Sequence, residues 1–166
     1  MEDQNKIAIR KIAKADNEAI ALIIRECLQE FGAVGSGFAW GDPEVDVMFE
    51  TYQDPKSIYY IVEIDGVVSG GGGIAPLAGG TATTCELQKM YFTRTARGKG
   101  IGGRLLDKLL ADAKSLGFDE IYLETLKHMD AANALYRKLG FEPLEKPMGD
   151  TGHCGCDFWY RRSLVV

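Results

Sequence analysis

The sequence predicts one α+β domain that spans residues 1–166, and three observations lead to this prediction. The chain has 166 residues, of which 46% are hydrophobic and 26% are charged, as expected for one globular domain. Some segments alternate apolar and polar residues as strands do, whereas others repeat apolar residues every three or four positions as helices do. No internal repeat or linker separates these segments, so we assign them to the same domain.

The first third of the chain predicts one strand followed by two helices. Residues 7–12 alternate in the manner of a short strand. Asp16 is a suitable N-cap for a long helix that ends at Gly32. Residues 32–41 contain four glycines and two large aromatic residues, which indicates a loop at the wall of a pocket. The segment 42–52 begins with Asp-Pro, an N-cap and a first helical residue, and predicts a second helix.

The middle of the chain predicts three strands. Residues 57–64 are rich in β-branched and aromatic residues, and the Asp-Gly pair at 65–66 predicts a type I′ hairpin that returns directly into a second strand. Four consecutive glycines at 70–73 in that strand indicate a bulge or a close approach of the backbone. After a turn at 76–81, residues 83–92 predict a long third strand.

The last part of the chain predicts two helices, each followed by strands. The helices cover residues 101–116 and 130–139, and each is closed by a glycine at its C-terminal end. A strand at 120–126 lies between them. A hairpin from 141 to 161 ends the fold.

The composition excludes several classes of protein. With 19 basic and 24 acidic residues, the net charge is −5, which argues against a protein that coats nucleic acid. No apolar run reaches the roughly 18 residues of a membrane span, and the N-terminal segment lacks the charged-then-apolar layout of an export signal. We therefore expect a cytoplasmic protein whose partners are neither nucleic acids nor membranes.

The four cysteines predict neither a disulfide framework nor a metal site. Cys27 and Cys85 lie in apolar patterns that are typical of small buried residues. His153, Cys154 and Cys156 are close in sequence, but a closed zinc site needs four ligands. The chain has only one other histidine and no CxxC pair, so we expect no metal.

A basic, glycine-rich segment at 93–104 indicates an anion site. Backbone amides reach a phosphate where glycines leave the approach open. Four cationic residues lie among these glycines: Arg94, Arg97, Lys99 and Arg104. A P-loop is excluded because Lys99 is followed by glycine instead of serine or threonine. The G-x-G-x-x-G pattern that begins at Gly98 fits a dinucleotide fold weakly, because five residues separate it from the preceding strand. A pyrophosphate with an extra phosphate fits better, and a merely solvated loop is the remaining alternative.

Three motifs, taken in order, resemble the GNAT superfamily of N-acetyltransferases. Residues 97–102, Arg-Gly-Lys-Gly-Ile-Gly, resemble its acyl-CoA pyrophosphate loop. Residues 86–92 resemble its central strand, and residues 130–141 resemble its helix with the pattern A-x-x-L-Y-x-K-x-G-F. The resemblance covers about residues 5–162. It implies a mixed, mostly antiparallel sheet of about six to seven strands flanked by helices.

The resemblance also implies acetyl-CoA as the cosubstrate, held by the loop and by the end of the central strand. Met90 and Phe92 would contribute backbone groups, with their side chains facing the core. The implied binding residues are Met90, Tyr91, Phe92, Arg97, Gly98, Lys99, Gly100, Ile101, Gly102, Gly103 and Arg104. The sequence departs from the family at Met129, where many members have an asparagine that contacts the cofactor, and Asn133 is a weak substitute.

Acetyl transfer to an amine needs a base for the ammonium proton and an acid for the thiolate, since a primary amine with a pKa of about 10.4 is mostly protonated at pH 7. Glu86 is the candidate base because apolar surroundings would raise its pKa, and the resemblance assigns the base to this position in several members. Glu124 is the alternative base. Tyr136 is the candidate acid by resemblance, and it follows a core-facing Leu135, which would bring its hydroxyl to the helix edge.

The acceptor is first interpreted as a small amine or amino acid. Its pocket would be walled by residues 31–40 and 146–159, where Asp150 or Asp157 would attract an ammonium group. The alternatives are a protein N-terminal or lysine acetyltransferase and an acyl-CoA sensor without turnover. The sequence leaves open whether the chain forms a homodimer.

Overall fold

Seven strands form one mixed sheet in the computed structural model, which describes residues 5–166. The strands are β1 (Ile7–Lys11), β2 (Ile58–Ile64), β3 (Val67–Pro76), β4 (Thr84–Phe92), β5 (Glu120–Thr125), β6 (Glu142–Leu144) and β7 (Phe158–Ser163). Their order across the sheet is β1-β2-β3-β4-β5-β7-β6. Only β4 and β5 are parallel neighbours, so the predicted mixed, mostly antiparallel sheet is confirmed.

Four α-helices flank the sheet over these residues. They are α1 (Asn17–Glu30), α2 (Met48–Thr51), α3 (Ile101–Ser115) and α4 (Asp130–Lys138). The apolar face of α3 packs with Tyr136 of α4 in one core cluster, whereas α1 and α2 contribute to a second one. None of the helices in residues 5–166 is both long and apolar enough to span a membrane. The first four residues of the predicted domain lie outside the described range.

The first helix starts where it was predicted, with Asp16 at its N-cap position, but the Asp16 side chain makes no capping hydrogen bond to α1. The Asp16 carboxylate instead accepts a hydrogen bond from the backbone amide of Ala13 at 2.7 Å. It also forms an ion pair with Arg10, which bonds Glu63 as well. The Asp16 side chain therefore fixes the 3₁₀ turn before α1, because the guanidinium on β1 draws it away from the helix end.

The predicted second helix is interrupted in the structure. A 3₁₀ helix covers Pro43–Val47, and α2 follows it as a separate turn after Val47 adopts φ −132°. Val45 and Met48 are both fully buried. Val45 on the 3₁₀ helix and Met48 on α2 are three positions apart, so each of the two segments turns one apolar residue to the core.

The glycine run in β3 allows two tyrosine rings to lie against this strand. A Cβ on Gly71 would lie 2.7 Å from Tyr59 Cε1, and one on Gly73 would lie 2.6 Å from Tyr59 Cδ2 and 3.2 Å from Tyr52 Cε1. The two rings pack together with centroids 5.0 Å apart. The close approach predicted from the glycines is confirmed, and it brings both tyrosine hydroxyls to β4.

Strand β4 contains a bulge next to the glycines. Gly71 pairs with Tyr91 and Gly73 pairs with Gln88, so β4 has one extra residue between the pairs. Lys89 lies there with φ +49°, and its carbonyl accepts a 2.7 Å hydrogen bond from Tyr59 Oη. A bulge re-aims the side chains that follow it.

The parallel pair β4–β5 separates soon after it begins. The strands pair only from Thr84 to Glu86 on β4 and from Glu120 to Tyr122 on β5. Beyond Glu86, β4 continues to Phe92 without pairing to β5. A cleft therefore opens in the middle of the sheet, and the backbone of β4 lines it.

Candidate active site

Glu86 lies where β4 and β5 separate, and it is buried with 6% of its surface exposed. Burial raises the pKa of Glu86, whereas a hydrogen bond from Gln88 lowers it and the nearby Glu124 raises it further. Gln88 Nε2 is 2.6 Å from Glu86 Oε1. The predicted burial of Glu86 is thus observed, but its surroundings are more polar than the sequence suggested.

Glu124 is the second carboxylate at this end of the cleft, and its side chain is 5% exposed. Tyr122 Oη donates to Glu124 Oε2 at 2.8 Å. Thr151 Oγ1 donates to Glu124 Oε1, from which His153 Nδ1 is 3.8 Å away. Both oxygens of Glu124 are therefore occupied by contacts within the protein, whereas only Oε1 of Glu86 is bonded among the described residues.

Asp42, His153 and Lys89 form a polar cluster beside Glu86 and Glu124. The sequence did not reveal this cluster. His153 Nε2 lies 2.8 Å from Asp42 Oδ2, and Lys89 Nζ lies 3.5 Å from the same oxygen. Sequence reasoning assigned Asp42 to a helix cap, yet its side chain makes no capping hydrogen bond. Because 111 residues separate Asp42 from His153, no local pattern could reveal this pair.

The two predicted pocket walls do meet. The amide of Gly155 donates to the carbonyl of Gly37 at 2.9 Å, and the Asp42–His153 pair lies beside this contact. Asp150 and Asp157 are exposed, and Asp157 Oδ1 accepts a hydrogen bond from the Lys127 amide at 2.9 Å.

All four cysteines are free thiols. Cys27 and Cys85 are buried, as the sequence predicted. Within residues 5–166 no group of three or more His, Cys, Asp and Glu side chains is arranged to hold a metal ion.

Tyr136 is buried in α4, with 7% of its surface exposed. Its ring packs against Phe141 and Tyr160, with centroids 5.8 and 5.7 Å away. The prediction that Leu135 faces the core and Tyr136 the helix edge is wrong: Tyr136 is the core-facing residue and Leu135 is only half-buried. Burial raises the pKa of Tyr136, and the pKa of Tyr91 on β4 is raised by burial and then by the neighbouring Tyr136.

The glycine-rich loop opens α3 with a left-handed residue, Gly100, at φ +73°. An added Cβ would meet nothing within 4 Å at Gly98 or at Gly100, so the approach to the loop is open at both positions. The first amides of α3 have no partners within the helix, and amides in this position suit an anion. The anion site at this loop stays a prediction. The cations Lys99 and Arg104 are exposed beside these amides.

The Arg97 side chain does not extend toward this anion site. Its guanidinium pairs with Glu30 at 2.9 Å, and Arg97 Nε donates to the carbonyl of Phe92 at 3.0 Å. The Arg97 amide also donates to the carbonyl of Arg94 at 3.3 Å, so both the side chain and the amide of Arg97 are engaged within the protein. Met90 and Phe92 pack their side chains on the core cluster around α3, as expected.

The Asn133 amide group is engaged within the protein. Its Nδ2 donates to the carbonyls of Leu126 and Lys127 at 3.0 and 3.2 Å. Met129 lies at the N-cap of α4, and its sulfur accepts a hydrogen bond from Thr125 Oγ1. Asn133 therefore holds the turn between β5 and α4.

We expect the Asp42–His153 pair to make the free energy of unfolding depend on pH. The hydrogen bond to Asp42 raises the pKa of His153 above the usual value of 6.5. The pair therefore stabilises the fold fully below pH 6.5, and this contribution is lost as the pH rises through the pKa of His153 in the folded protein. We expect His153→Gln to lower the free energy of unfolding by about 1–2 kcal/mol at pH 6 and by less at pH 9, as measured by urea denaturation.

The matched control is His128→Gln. The His128 ring contacts the carbonyl of Phe31 instead of a carboxylate, so this variant should not reproduce the pH-dependent loss. A loss in His153→Gln that is equal at pH 6 and pH 9 would contradict the charged pair.

Comparisons with known proteins agree with this geometry. Residues 17–141 match the model of the acetyltransferase (GNAT) family. The chain is 41% identical over 157 residues to the uncharacterized N-acetyltransferase YjgM of Escherichia coli strain K12, and the match covers 94% of each chain.

Two solved structures share the fold. One is an acetyltransferase of the GNAT family from Staphylococcus aureus, with a TM-score of 0.81, 20% identity, and coverage of 96% of this chain and 100% of that one. The other is YncA from Salmonella typhimurium with its cofactor acetyl-CoA, with a TM-score of 0.77, 21% identity, and coverage of 97% and 95%. From the family match, the sequence relative and the shared architecture, we conclude that this chain belongs to the GNAT family of N-acetyltransferases.

Proposed function

We propose that residues 1–166 form one catalytic domain that transfers the acetyl group of acetyl-CoA to the primary amine of a small molecule. The observation that carries this proposal is the cleft that opens where β5 leaves β4, directly after Glu86. Beyond Glu86, β4 has no ladder partner on the side of β5, and in this proposal its backbone groups on that side bond an extended pantetheine arm. The structural neighbour YncA contains acetyl-CoA in the same fold, which supports the choice of cosubstrate.

The loop residues fit the other end of this cosubstrate. The amides at the start of α3 suit a pyrophosphate, and Lys99 and Arg104 are exposed beside them for further phosphate charge. Acetyl-CoA supplies the acetyl group as a thioester, whose C–S bond breaks as the new N–C bond forms. The chain's own residues must then remove one proton from the amine and deliver one to the sulfur.

Glu86 accepts the amine proton in this proposal. Its raised pKa brings it closer to neutrality and improves it as a base at physiological pH. Glu124 is less suited, because its two oxygens already accept hydrogen bonds from Tyr122 and Thr151. Glu86 keeps one oxygen for the substrate or for a bridging water.

Tyr136 donates the proton to the thiolate. A buried phenol with a raised pKa keeps its proton over the working pH range. The ring is held by Phe141 and Tyr160, so that little rotamer entropy is lost when the hydroxyl takes up its position.

The contact between the two pocket walls favours a small acceptor. The Gly155–Gly37 hydrogen bond and the Asp42–His153 pair join the loops on the acceptor side of Glu86. In this proposal the joined loops confine the acceptor to a small amine, and a peptide acceptor would require them to part. The carboxylates of Glu86, Glu124 and Asp42 at the same place suit a cationic amine.

A thiol-release screen tests the proposal. The protein and acetyl-CoA are incubated with amino acids, polyamines, aminoglycosides and peptides, and free CoA is measured. We expect turnover with one class of small amines. Turnover with peptides alone would favour a protein acetyltransferase, and tight acetyl-CoA binding without any turnover would favour a sensor.

Gly100→Val tests the cosubstrate site. A β-branched residue is strained at φ +73° and would narrow the approach to the loop amides, so we expect the Kd for CoA to rise by about 10-fold or more. Calorimetry with CoA measures it.

The control for this variant is Gly117→Val, since Gly117 has φ +87° just after the other end of α3. Gly117→Val should lower the free energy of unfolding by a similar amount but leave the Kd for CoA unchanged. Equal CoA affinity in both variants would remove the loop from the binding site.

A further inference from the structure

We propose that Gln88 and Tyr52 are positioning residues for Glu86: the Tyr52 hydroxyl fixes the polarity of the Gln88 amide, which then presents its NH₂ group to the carboxylate. This inference rests on the proposed role of Glu86 as the base. It deepens that role by assigning the groups that orient the base and favour its ionised form.

The three side chains form one short hydrogen-bonded chain. Tyr52 Oη donates to Gln88 Oε1 at 2.6 Å, and Gln88 Nε2 donates to Glu86 Oε1 at 2.6 Å. Tyr52 and Glu86 are buried and Gln88 is half-buried. The Gln88 side chain is therefore held at both ends.

The chemistry of the three groups gives the chain a direction. An ionised carboxylate only accepts, so Gln88 must turn its NH₂ toward Glu86 and its carbonyl oxygen toward Tyr52. A protonated Glu86 could instead donate to that carbonyl oxygen, after the amide had turned over. Tyr52 opposes this turn, because a protonated phenol donates well and burial raises the pKa of Tyr52. The phenol thus favours the amide orientation that matches an ionised base.

The fold brings Tyr52 to this point through the glycine run. Gly73 pairs with Gln88, and a side chain on Gly73 would collide with the carbonyl of Ile58 and crowd the rings of Tyr59 and Tyr52. The missing side chain lets Tyr52, which follows α2, reach over β3 to β4. Gly73 thereby acquires a role in positioning the base.

Other groups around Glu86 also act on its ionisation. Glu124 of β5 raises its pKa, whereas Lys89 of β4 and His153 of the segment before β7 lower it. Further titratable groups influenced by the charge of Glu86 are Tyr52, Cys85, Tyr122 and Cys156. Of all these neighbours, Gln88 alone donates a hydrogen bond directly to Glu86 among the described residues.

Two variants test the inference, and Gln88→Met is the stronger one. Methionine has a similar volume but cannot donate a hydrogen bond to Glu86, so the ionised carboxylate loses a stabilising contact. We therefore expect the acidic limb of the pH profile of kcat/KM to move up by about 0.5–1 pH unit. At pH values on the acidic side of this limb, kcat/KM should be about 3- to 10-fold lower than that of the native protein. At higher pH the two values should be nearly equal. Tyr52→Phe should shift the limb in the same direction by less, because Gln88 keeps its contact but loses its fixed polarity.

The matched control is Tyr60→Phe. This variant also removes one tyrosine hydroxyl from the core, but the Tyr60 hydroxyl bonds Asp112 at 2.6 Å, away from Glu86. Its pH profile should coincide with that of the native protein. If Tyr60→Phe shifted the pH profile equally, the shift would be a general effect of losing a tyrosine hydroxyl from the core. That result would overturn the proposal.

A second readout separates this inference from the proposed function. The pKa of Glu86 is measured directly by ¹³C NMR of labelled glutamate carboxyls, with the resonance assigned through its loss in Glu86→Gln. We expect an upward shift of this pKa in both variants. An unchanged pKa in both would overturn the positioning role. A shifted pKa with an unmoved rate profile would support the positioning role and instead exclude Glu86 as the base.

Discussion

Replacing Glu86 by glutamine should lower kcat about 10²- to 10⁴-fold near pH 7, the usual effect of losing a general base. Glutamine keeps the shape and can still bond Gln88, but it cannot accept the amine proton. Activity should recover in part as the pH approaches the amine pKa of about 10.4, because the nucleophile then arrives deprotonated. Steady-state kinetics from pH 6 to pH 10 measure this recovery.

The same substitution should stabilise the fold. The pKa of Glu86 is higher in the folded protein than its ordinary value of 4.5, because burial disfavours the charge. The folded state therefore holds a proton that the unfolded state releases, and the native protein loses stability as the pH rises from 4.5 through the folded-state pKa. Glu86→Gln removes this loss, so its advantage in urea denaturation should grow over that range and then stay constant.

Glu124→Gln is the comparison for Glu86. Since Glu124 already accepts hydrogen bonds from Tyr122 and Thr151, its substitution should affect turnover much less. The opposite ranking of the two variants would transfer the role of base to Glu124. Equal and mild effects in both would mean that neither carboxylate is essential.

Tyr136→Phe should lower kcat about 10²- to 10⁴-fold when the chemical step limits the rate. The substitution deletes one hydroxyl, while the ring keeps its packing against Phe141 and Tyr160. We therefore expect the affinity for CoA and the melting temperature to change little. Single-turnover kinetics with excess enzyme would isolate the chemical step.

Tyr160→Phe is the control for Tyr136. The two rings are neighbours, and the buried Tyr160 hydroxyl has no hydrogen-bond partner among residues 5–166. Removal of this hydroxyl should leave turnover unchanged and should not destabilise the fold, because a buried polar group without a partner costs free energy. If both phenylalanine variants kept the native single-turnover rate, Tyr136 would be a packing residue.

Local patterns in the sequence were sufficient for most of the fold. Every strand of the sheet and the helices α1, α3 and α4 were predicted, from alternation at β1, from β-branched and aromatic content at β2, from the turn before β3 and from helical spacing in the helices. The Asp65-Gly66 turn adopts the positive φ values of 52° and 79° that its hairpin requires. The helix predicted at 42–52 differs in form: it begins at Asp42 and Pro43 as predicted, but it is a 3₁₀ helix that ends at Val47, where an extended φ separates it from the single turn of α2.

The candidate site, like the fold, was predicted from the sequence only in part. The loop around Gly100 was singled out by its glycines and cationic residues, whereas Glu86 and Tyr136 were singled out mainly by the resemblance of their segments to the GNAT superfamily. Only the tertiary structure decided that Asp42 pairs with His153, that Tyr52 reaches Gln88 across β3, and that the Arg97 guanidinium turns to Glu30. These contacts join residues 36 to 111 positions apart. They depend on strand register, on the bulge at Lys89 and on the packing of loops, and a linear pattern encodes none of these, because it records burial and turn chemistry but not which distant side chain lies opposite.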